Sequence, residues 1–372
     1  MRSITIKDVA KEAGVSTTLV SRVMNAPLDK DGIPVCAVNR ATAMRIIGTI
    51  RRMGYRPNTA AASLRKKKKK RIGVILPDIS NQYFAPMARE FERIAREEGY
   101  TVLFGSSSDN AGIIEDLAMT FCYDNADGII LVPGEDCGPA VERIVNQRIP
   151  MVLAVRDIPE VHNVGKVLSD NIKASGMALD HLGKCGFKRV EMLSTTLRIS
   201  TVIEREKLFL EYMEGKGRGG RILHCDSNNP EESIRFIIED ALRRGTDAFY
   251  CPSATNAVIA SKICREEGIR IPEDIGLMGY DGPSVFDAIT PSITQISFRK
   301  DIVAREAFNT LKKMTEEHCP EAPVTLVEPE LIIGDSTAGK KATDDGPSTG
   351  KPREQLQKAI AELRKLERMI ST

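Results

Sequence analysis

The sequence predicts a small all-α N-terminal domain followed by an α/β body made of two parallel-sheet lobes. Two observations support this fold class. Short amphipathic helical patterns fill the chain up to about Met53. From Ile72 to Met278, short apolar runs alternate with helical patterns in two successive series, which is typical of parallel sheets covered by helices on both faces. The 372 residues are enough for two or three domains.

Residues 5–25 predict two short helices joined by a tight turn. Thr5 and Asp8 can form a capping box at the start of the first helix. Gly14 ends that helix, and Ser16 can cap the second. The polar and basic side chains of the second helix share one face: Thr17, Thr18, Ser21, Arg22 and Asn25. This face suits a helix in the major groove of DNA, but also a small helical hairpin with a solvated face.

Charge is distributed unevenly along the chain. Residues 1–71 contain 17 Lys/Arg and 4 Asp/Glu, a net charge of +13, whereas the remainder carries −11. The whole chain therefore has a net charge of only +2 at pH 7. A basic N-terminal part on an acidic body indicates a polyanionic partner for that part alone.

The basic part continues with a loop, a third helix and a linker. The loop covers Ala26 to Val38, and the helix is predicted from about Arg40 to Met53. Its predicted apolar face consists of Met44, Ile47, Ile50 and Met53. Asn58 begins a short Ala-rich helix that is marginal alone and is predicted to form on DNA, where Leu64 could insert between base steps. The lysines at 66–70 are either a solvated linker or phosphate contacts.

The body is predicted element by element from its apolar periodicity. Its strands are expected at 72–76, 102–104, 128–132, 151–155, 190–193, 222–224, 248–251 and 275–278. Its helices are expected at 85–98, 113–123, 140–147, 175–184, 202–214, 233–243 and 256–267. Ligands of such sheets bind at the carboxyl ends of the strands, which here meet in the cleft between the lobes.

The last part of the chain predicts a linker and a final helix. Residues 337–352 are polar and rich in Gly and Pro, which favours a flexible linker. The helix then carries a heptad seam: Leu356, Ala359, Leu363, Leu366 and Ile370. The seam is short, so we expect it to form one helix of a multi-helix bundle. The alternative is an amphipathic helix docked on its own core.

Several classes of protein are disfavoured by the sequence. No apolar run has membrane-spanning length, and the N-terminus lacks the apolar core of a signal peptide, so a cytoplasmic location is expected. The eight cysteines are scattered and are expected to be free thiols: Cys36, Cys122, Cys137, Cys185, Cys225, Cys251, Cys264 and Cys319. The four histidines are dispersed outside any catalytic motif, and the glycine-rich run 215–220 lacks Walker spacing, so it favours a turn over a phosphate loop. We therefore expect a protein that is not an enzyme and that binds neither a metal ion nor a cofactor.

Specific runs of residues resemble the LacI/GalR family of bacterial transcription regulators. In the N-terminal part they are 5–10, 14–16, 20–23, 54–58 and 63–65; in the body they are 73–78, 127–130 and 279–281. The resemblance covers about Ile4 to Ser336, and the last helix looks like the tetramerisation tail of only some members. It implies a DNA-binding headpiece (1–57), a hinge helix and basic linker (58–71), a periplasmic-binding-protein-like core (72–336), a linker (337–352) and an oligomerisation helix (353–372).

The family resemblance also implies roles for particular residues. A homodimer would read a pseudo-palindromic operator in double-stranded DNA, with Arg22 bonding guanine and with Thr17 and Thr18 making smaller contacts. The implied DNA-binding set is Thr5, Ser16, Thr17, Thr18, Ser21, Arg22, Asn25, Tyr55, Asn58 and Leu64. The implied effector-binding set in the cleft is Asn81, Gln82, Tyr83, Phe84, Arg205 and Asp281. Effector binding would change the angle between the lobes and thereby the operator affinity.

The sequence departs from the family pattern at several places. The loop between the second and third helices is longer than usual, and Ala62 stands where the hinge commonly has arginine. Val155 and Ala254 replace cleft residues that usually carry a carboxylate or amide for sugar hydroxyls. An ordinary monosaccharide is therefore disfavoured relative to an unusual metabolite. Two alternatives remain: a regulator with a degenerate cleft controlled by a phosphoprotein, and a solute-binding receptor without DNA function.

Overall fold

The computed structural model describes residues 4–24, 26, 34–36, 38–53, 55, 70–316 and 323–338. The chain divides between Arg71 and Ile72 into two compact units. The N-terminal unit contains α1 (Ile6–Glu12), α2 (Thr17–Met24) and α3 (Arg40–Met53). The hinge residues Asn58 and Leu64 and the tail positions Leu356, Leu363, Leu366 and Ile370 lie outside the described residues.

Local hydrogen bonds delimit the first two helices as predicted. Thr5 N donates to Asp8 Oδ2 at 2.8 Å and Asp8 N donates to Thr5 Oγ1 at 3.4 Å, which completes the capping box. Gly14 has a φ of +64°, a conformation that glycine adopts without steric cost, and it ends the first helical segment. Ser16 Oγ accepts from Leu19 N at 3.2 Å and so caps α2.

The buried face of α3 differs from the prediction. Ala43 and Ile46 are fully buried against α1 and α2, together with Thr49, whereas Met44 is 50% exposed. The predicted apolar face was therefore wrong at Met44. Its other members, Ile47, Ile50 and Met53, are only partly buried. Because α3 contacts two helices at once, its buried arc is centred one position earlier, where small Ala43 allows close approach.

The second unit consists of two six-stranded sheets covered by helices. Its strands are β1 (Arg71–Leu76), β2 (Thr101–Ser106), β3 (Gly128–Leu131), β4 (Met151–Val155), β5 (Gly165–Ser169), β6 (Val190–Thr195), β7 (Arg221–Cys225), β8 (Ala248–Tyr250), β9 (Gly276–Tyr280), β10 (Thr294–Phe298), β11 (Val324–Val327) and β12 (Pro329–Ile332). Its helices are α4 (Phe84–Glu97), α5 (Ala111–Tyr123), α6 (Gly138–Asn146), α7 (Asn171–Lys184), α8 (Ser200–Gly215), α9 (Pro230–Arg244), α10 (Ala254–Glu266), α11 (Pro283–Ala288) and α12 (Lys300–Glu316). A 3₁₀ turn follows at Asp335–Thr337.

The strand orders define two lobes of similar design. The first sheet has the order β11-β5-β4-β3-β1-β2 and the second has the order β12-β10-β9-β8-β6-β7. The pairs β1–β3 and β6–β8 are parallel, with Gly73 opposite Ile129 and Glu191 opposite Phe249, whereas β12 is antiparallel to β10. The prediction of two parallel-sheet lobes is confirmed. The glycine-rich run forms the turn between α8 and β7, with Gly217 at a φ of +65°, as expected.

The chain passes between the lobes three times, and the elements around these crossings were not predicted from the sequence. The crossings join β5 to α7, β10 to α12 and β11 to β12, so α12 returns to pack on β3, β4 and β5 of the first lobe. Strand β5 and every element after β9 were not predicted, and α7 begins at Asn171, earlier than expected. One buried apolar cluster contains side chains of both lobes, among them Phe91 and Phe209.

Two further expectations concern the thiols and the membrane. The seven cysteines within the described ranges are free thiols. Burial raises the pKa of the thiols of Cys251 and Cys264, the latter to about 12, as expected for inert core residues. None of the helices in the described part of the chain is long and apolar enough to span a bilayer.

Candidate DNA-binding face and interlobe cleft

Helix α2 is anchored by its apolar side and presents its polar side outward. Val20 is fully buried and Val23 is 2% exposed in the core of the headpiece, the three-helix N-terminal region. Thr17, Thr18 and Arg22 are exposed on the other side of the helix, while Ser21 is half-buried. No acidic residue lies in the helix. The face predicted from the sequence is therefore present, short, polar and basic, as major-groove recognition requires.

A concave surface on the headpiece combines α2 with residues from outside that helix. It is lined by Ile6, Thr17, Thr18, Ser21, Arg22, Ala26, Val35 and Cys36. Val35 is 60% exposed although it is apolar. The sequence predicts Val35 and Cys36 only as part of a long loop, because nothing in their local pattern indicates that the loop returns to the α2 face.

Other predicted DNA-binding residues have different surroundings. The Thr5 hydroxyl is exposed and donates to Asp8 Oδ2 at 2.7 Å, so it also holds the start of α1. Tyr55 is half-buried and packs against the headpiece core. Asn25 lies outside the described residues, as Asn58 and Leu64 do.

The carboxyl ends of the two sheets bring three of the predicted cleft residues together. Tyr83 precedes α4, Arg205 lies in α8 and Asp281 follows β9. Lys300 Nζ lies 3.2 Å from Asp281 Oδ1 and 4.8 Å from the centroid of the Tyr83 ring, and Arg205 lies over the ring of Tyr280, the residue before Asp281. The topology thus assembles a polar centre between the lobes from residues far apart in the sequence.

Arg205 is engaged by the protein itself. Its side chain is 8% exposed, Nε donates to Asn171 Oδ1 at 2.8 Å, and Nη1 donates to the carbonyl of Pro252 at 3.0 Å. Its guanidinium carbon lies 4.1 Å from the centroid of the Tyr280 ring, a cation–π contact. These contacts hold the guanidinium in a fixed orientation, and the two hydrogen bonds use two of its N–H donors.

Asp281 links the two lobes. It is 7% exposed and lies at a φ of +50°, directly after β9. Its Oδ1 accepts from Phe298 N at 2.9 Å and from Lys300 Nζ at 3.2 Å. Lys300 Nζ also lies 4.8 Å from the centroid of the Tyr83 ring, so one ammonium group contacts a residue of each lobe.

The Tyr83 hydroxyl is buried and has no hydrogen-bond partner among the described residues. Burial raises the pKa of Tyr83 well above its usual value, and the negative charge of Asp281 raises it further against the opposing effects of Arg205 and Arg156. The hydroxyl is therefore neutral and able to donate. A buried donor without a partner costs about 1–3 kcal/mol, so this position favours a bound polar group.

The neighbouring predicted residues play different parts. Asn81 and Gln82 are exposed at the start of α4, where Asn81 Oδ1 accepts from Tyr83 N at 2.9 Å. Phe84 is 5% exposed and belongs to the buried apolar core. Its ring meets the Tyr83 ring edge-on at 4.9 Å, so it can position Tyr83.

Val155 ends β4 in a strained conformation. Its φ of +69° is unusual for a β-branched residue, whose side chain is crowded in the left-handed region. Strain of this kind costs on the order of 1–3 kcal/mol and is found at functional sites. Close by in sequence, Asp157 N donates to Ser200 Oγ at 2.9 Å, and Arg198 N donates to the carboxylate of Glu135. These two bonds join the lobes directly.

One cluster combines a histidine with a serine and a carboxylate, the residue types that a catalytic triad uses. Glu206 Oε1 accepts from Ser194 Oγ at 2.6 Å and lies 2.9 Å from His224 Nε2. Serine and histidine thus both contact the carboxylate, whereas nucleophilic catalysis requires serine to contact histidine. The three side chains therefore form a structural hydrogen-bond network and not a catalytic triad.

A three-helix headpiece with an exposed basic recognition face and a two-lobed body with a polar cleft together define a DNA-binding regulatory protein. Residues 5–58 match the bacterial regulatory proteins of the lacI family, and residues 179–337 match the periplasmic binding protein-like domain. Catabolite control protein A of Priestia megaterium is 30% identical over 348 residues, covering 90% of this chain and 99% of that protein. The chain belongs to the lacI family of bacterial regulatory proteins.

Further comparisons agree with this assignment. The ribose operon repressor of Bacillus subtilis is 28% identical over 346 residues, which cover 91% of this chain and 99% of that protein. The structure of the lac repressor dimer bound to operator and the anti-inducer ONPF matches with a TM-score of 0.76 at 18% identity, covering 90% of this chain and 99% of that chain. That likeness shows the fold. The predictions of a transcriptional regulator and of a non-enzymatic protein are confirmed by the family.

Proposed function

We propose that this regulator is a repressor that binds a pseudo-palindromic operator as a homodimer under the control of a small metabolite. The exposed face of α2 carries the proposal, because Thr17, Thr18 and Arg22 are presented together while Val20 and Val23 anchor the helix. A homodimer would place two such helices on two half-sites about one turn of DNA apart. A relative named as a ribose operon repressor supports repression as the outcome.

Within the operator complex, each proposed residue has a chemical role. Arg22 bonds guanine through two donors, and Thr17 and Thr18 make polar or methyl contacts with base edges. Val35, exposed beside them, adds an apolar contact for a thymine methyl group. The remaining proposed DNA contacts are Thr5, Ser16, Ser21, Asn25 and Tyr55, with Asn58 and Leu64 in the proposed hinge.

The effector is proposed to bind in the interlobe cleft. The Tyr83 hydroxyl is a donor available to a polar ligand, while the internal bonds of Arg205 and Asp281 hold these charges in place beside it. Asn81 and Gln82 line the entrance, and Phe84 supports Tyr83. A sugar-like or related metabolite would favour one lobe angle and so couple reciprocally to operator affinity.

The domain boundaries, the oligomeric state and the location are part of the proposal. We retain the boundaries 1–57, 58–71, 72–336, 337–352 and 353–372, except that Thr337 packs on the core and the linker is proposed to start after it. We also propose a cytoplasmic protein that is associated with the nucleoid when bound to DNA, and a tetramer formed through the heptad seam. Thr337 is 1% exposed and its hydroxyl lies 2.7 Å from His181 Nε2, so a tail deletion is best made after Ala338. That deletion should convert a tetramer into a dimer that still binds one operator. An unchanged mass in light scattering would reject the tetramer.

The function is tested by selecting DNA from a random pool with the full-length protein. We expect a palindromic site whose affinity falls steeply with salt, because lysine and arginine contacts release counterions from the phosphates. Recovery of unrelated sequences, with affinity equal to that for random DNA in moderate salt, would reject the proposed function. A metabolite screen by thermal shift then identifies the effector, since a ligand of the folded state raises the melting temperature.

A further inference from the structure

A cavity lies between the lobes beside the polar centre and shares residues with the cleft: Val155, which stands at a cleft position, and Asn171, which bonds Arg205, both line it. Its volume is about 850 Å³, and we call it the side pocket. The first lobe contributes residues between Gly134 and Glu160, and the second lobe contributes residues between Arg198 and Lys207. Tyr83, Arg205 and Asp281 do not line it. Its size is that of a small-molecule site, and its walls come from both lobes.

The floor of the side pocket is apolar. It contains Ile158, Pro159, Leu168, Ile199, Ile203 and Leu326. Leu168 and Leu326 lie opposite each other on the paired strands β5 and β11. Leu326 is 58% exposed and Ile203 is 42% exposed, so apolar surface remains open to a ligand. Covering that surface removes apolar area from water and so stabilises a complex.

The charged groups around this floor are not balanced. Five carboxylates line the pocket against two cations. Both cations already face carboxylates: Arg198 Nη1 lies 3.4 Å from Glu206, and Lys207 Nζ lies 3.7 Å from Glu211.

Three of the five carboxylates are uncommitted. Asp157 is paired with Lys166 at 2.7 Å, and Glu204 accepts from Asn171 Nδ2 at 2.7 Å. In the part of the chain that the structure describes, no ion pair engages the remaining three, Asp136, Glu142 and Glu160. The carboxylates without such an ion pair therefore leave the pocket with a net negative charge.

We propose that the side pocket binds a small organic cation with an apolar body. The apolar part covers the floor, and the cationic group faces the rim formed by Asp136, Glu142 and Glu160. This specificity differs from that of a sugar, for which the cleft would supply many hydrogen-bonding groups. A role for this ligand as a further effector, beside the one proposed for the Tyr83 centre, rests on the proposed function; the binding itself does not.

The position of the pocket connects binding to the lobe angle. The bonds Asp157 N to Ser200 Oγ and Arg198 N to Glu135 join the lobes at residues that line or adjoin the pocket. A ligand seated between these segments contacts both lobes at once and so binds one lobe angle better than others. Differential affinity of this kind is what shifts a conformational equilibrium.

The test compares two probes of equal shape by calorimetry on the full-length protein. The probes are 4-phenylbutylamine, which is cationic, and the uncharged 4-phenyl-1-butanol. We expect the amine to bind at least about tenfold more tightly, because only the amine can use the free carboxylates. Equal affinities, or no binding of the amine, would overturn the proposal.

Variants locate the site. The triple variant Asp136→Asn, Glu142→Gln and Glu160→Gln should abolish the preference for the amine, and Leu326→Ser should weaken both probes. Val324→Ser is the matched control, because Val324 is 63% exposed on the same face of β11 but does not line the pocket. A preference for the amine that survives the triple variant, or binding that falls equally in Leu326→Ser and Val324→Ser, places the amine elsewhere and rejects the side pocket.

Operator binding separates this inference from the proposed function. If operator binding is intact while the amine does not bind, the ligand class is wrong and the regulator stands. If the amine binds as expected and the protein selects no operator, the side pocket stands and the regulatory proposal is wrong. A change in operator affinity on adding the amine supports its role as effector, and an unchanged affinity rejects that role.

Discussion

Lys300 Nζ lies 3.2 Å from Asp281 Oδ1. This ion pair joins the first turn of α12, which returns to the first lobe, to the end of β9 in the second lobe. The two side chains are 10% and 9% exposed, so the pair is largely shielded from water. It lies where β10 passes into α12, one of the three crossings. The relationship couples the stability of the body to the contact between its lobes.

Replacing Lys300 by methionine should destabilise the body strongly. Lys300→Met leaves the Asp281 carboxylate buried with the backbone N–H of Phe298 as its one remaining donor among the described residues, and breaking a buried pair in this way costs about 3–5 kcal/mol. Urea unfolding followed by circular dichroism measures the loss. Lys262→Met is the control, because the Lys262–Glu231 pair is exposed and should contribute little. Equal losses in the two variants would contradict the structural role.

Removing the Tyr83 hydroxyl should have the opposite effect. Tyr83→Phe keeps the ring beneath Lys300 and deletes a buried hydroxyl that lacks a partner, so the unfolding free energy should rise by about 1–3 kcal/mol. Tyr250→Phe is the matched control. Its hydroxyl lies 3.3 Å from Ser175 Oγ, and its removal should destabilise the protein. Shifts of the same sign in denaturant unfolding would show that the Tyr83 hydroxyl is satisfied.

The strain at Val155 should make this position tolerant of a polar replacement. Val155→Asn introduces a residue that adopts positive φ more readily and whose amide can face the side pocket, so we expect a loss below about 1 kcal/mol. Val152→Asn, three residues earlier, buries an amide at a fully buried position and should cost about 2–7 kcal/mol. Thermal melts of both variants measure the difference. A severe loss at Val155 alone would contradict the interpretation.

The free energy of unfolding should fall as the pH is lowered through the range in which a histidine of the unfolded chain gains a proton. Burial, aided by Lys184, lowers the pKa of His181, so the unfolded chain binds this proton more readily than the folded one. The contribution of His181 is therefore complete above the usual histidine pKa of 6.5 and is lost as the pH falls below it. In His181→Gln, the free energy of unfolding should depend less steeply on pH between about 7.5 and 5.5, the range around the histidine pKa. His162→Gln, at an exposed position, is the control, and an unchanged slope in His181→Gln would refute the assignment.

Base discrimination should depend on Arg22. Arg22→Ala should relax the preference at one position of each half-site, at a cost of about 1–3 kcal/mol against the selected operator. Arg52→Ala removes the same charge from an exposed residue of α3 that is paired with Glu12 at 3.0 Å, and it should leave the base preference intact. Sequence selection with both variants distinguishes them. A preserved preference in Arg22→Ala would exclude Arg22 from base reading.

The sequence predicted the parts of the fold that local interactions decide. The capping box of Thr5 and Asp8, the turn at Gly14 and the span of α3 depend on neighbours within a few residues, so their signals can be read directly. The choice of Met44 for the buried face of α3 failed because burial there depends on two other helices. Strand β5 and the elements after β9 were missed because their partners lie far away in the sequence.

The sequence by itself determined the class of this protein: a basic headpiece with the α2 face, two βα series and the family motifs. Only the tertiary structure decided what the cleft residues contact. Arg205, predicted as a ligand clamp, is bound by Asn171 and Pro252, and the buried hydroxyl of Tyr83 is left to donate. The physical reason is that hydrogen-bond satisfaction and burial depend on which distant groups the three lobe crossings bring together, and no local pattern records those neighbours.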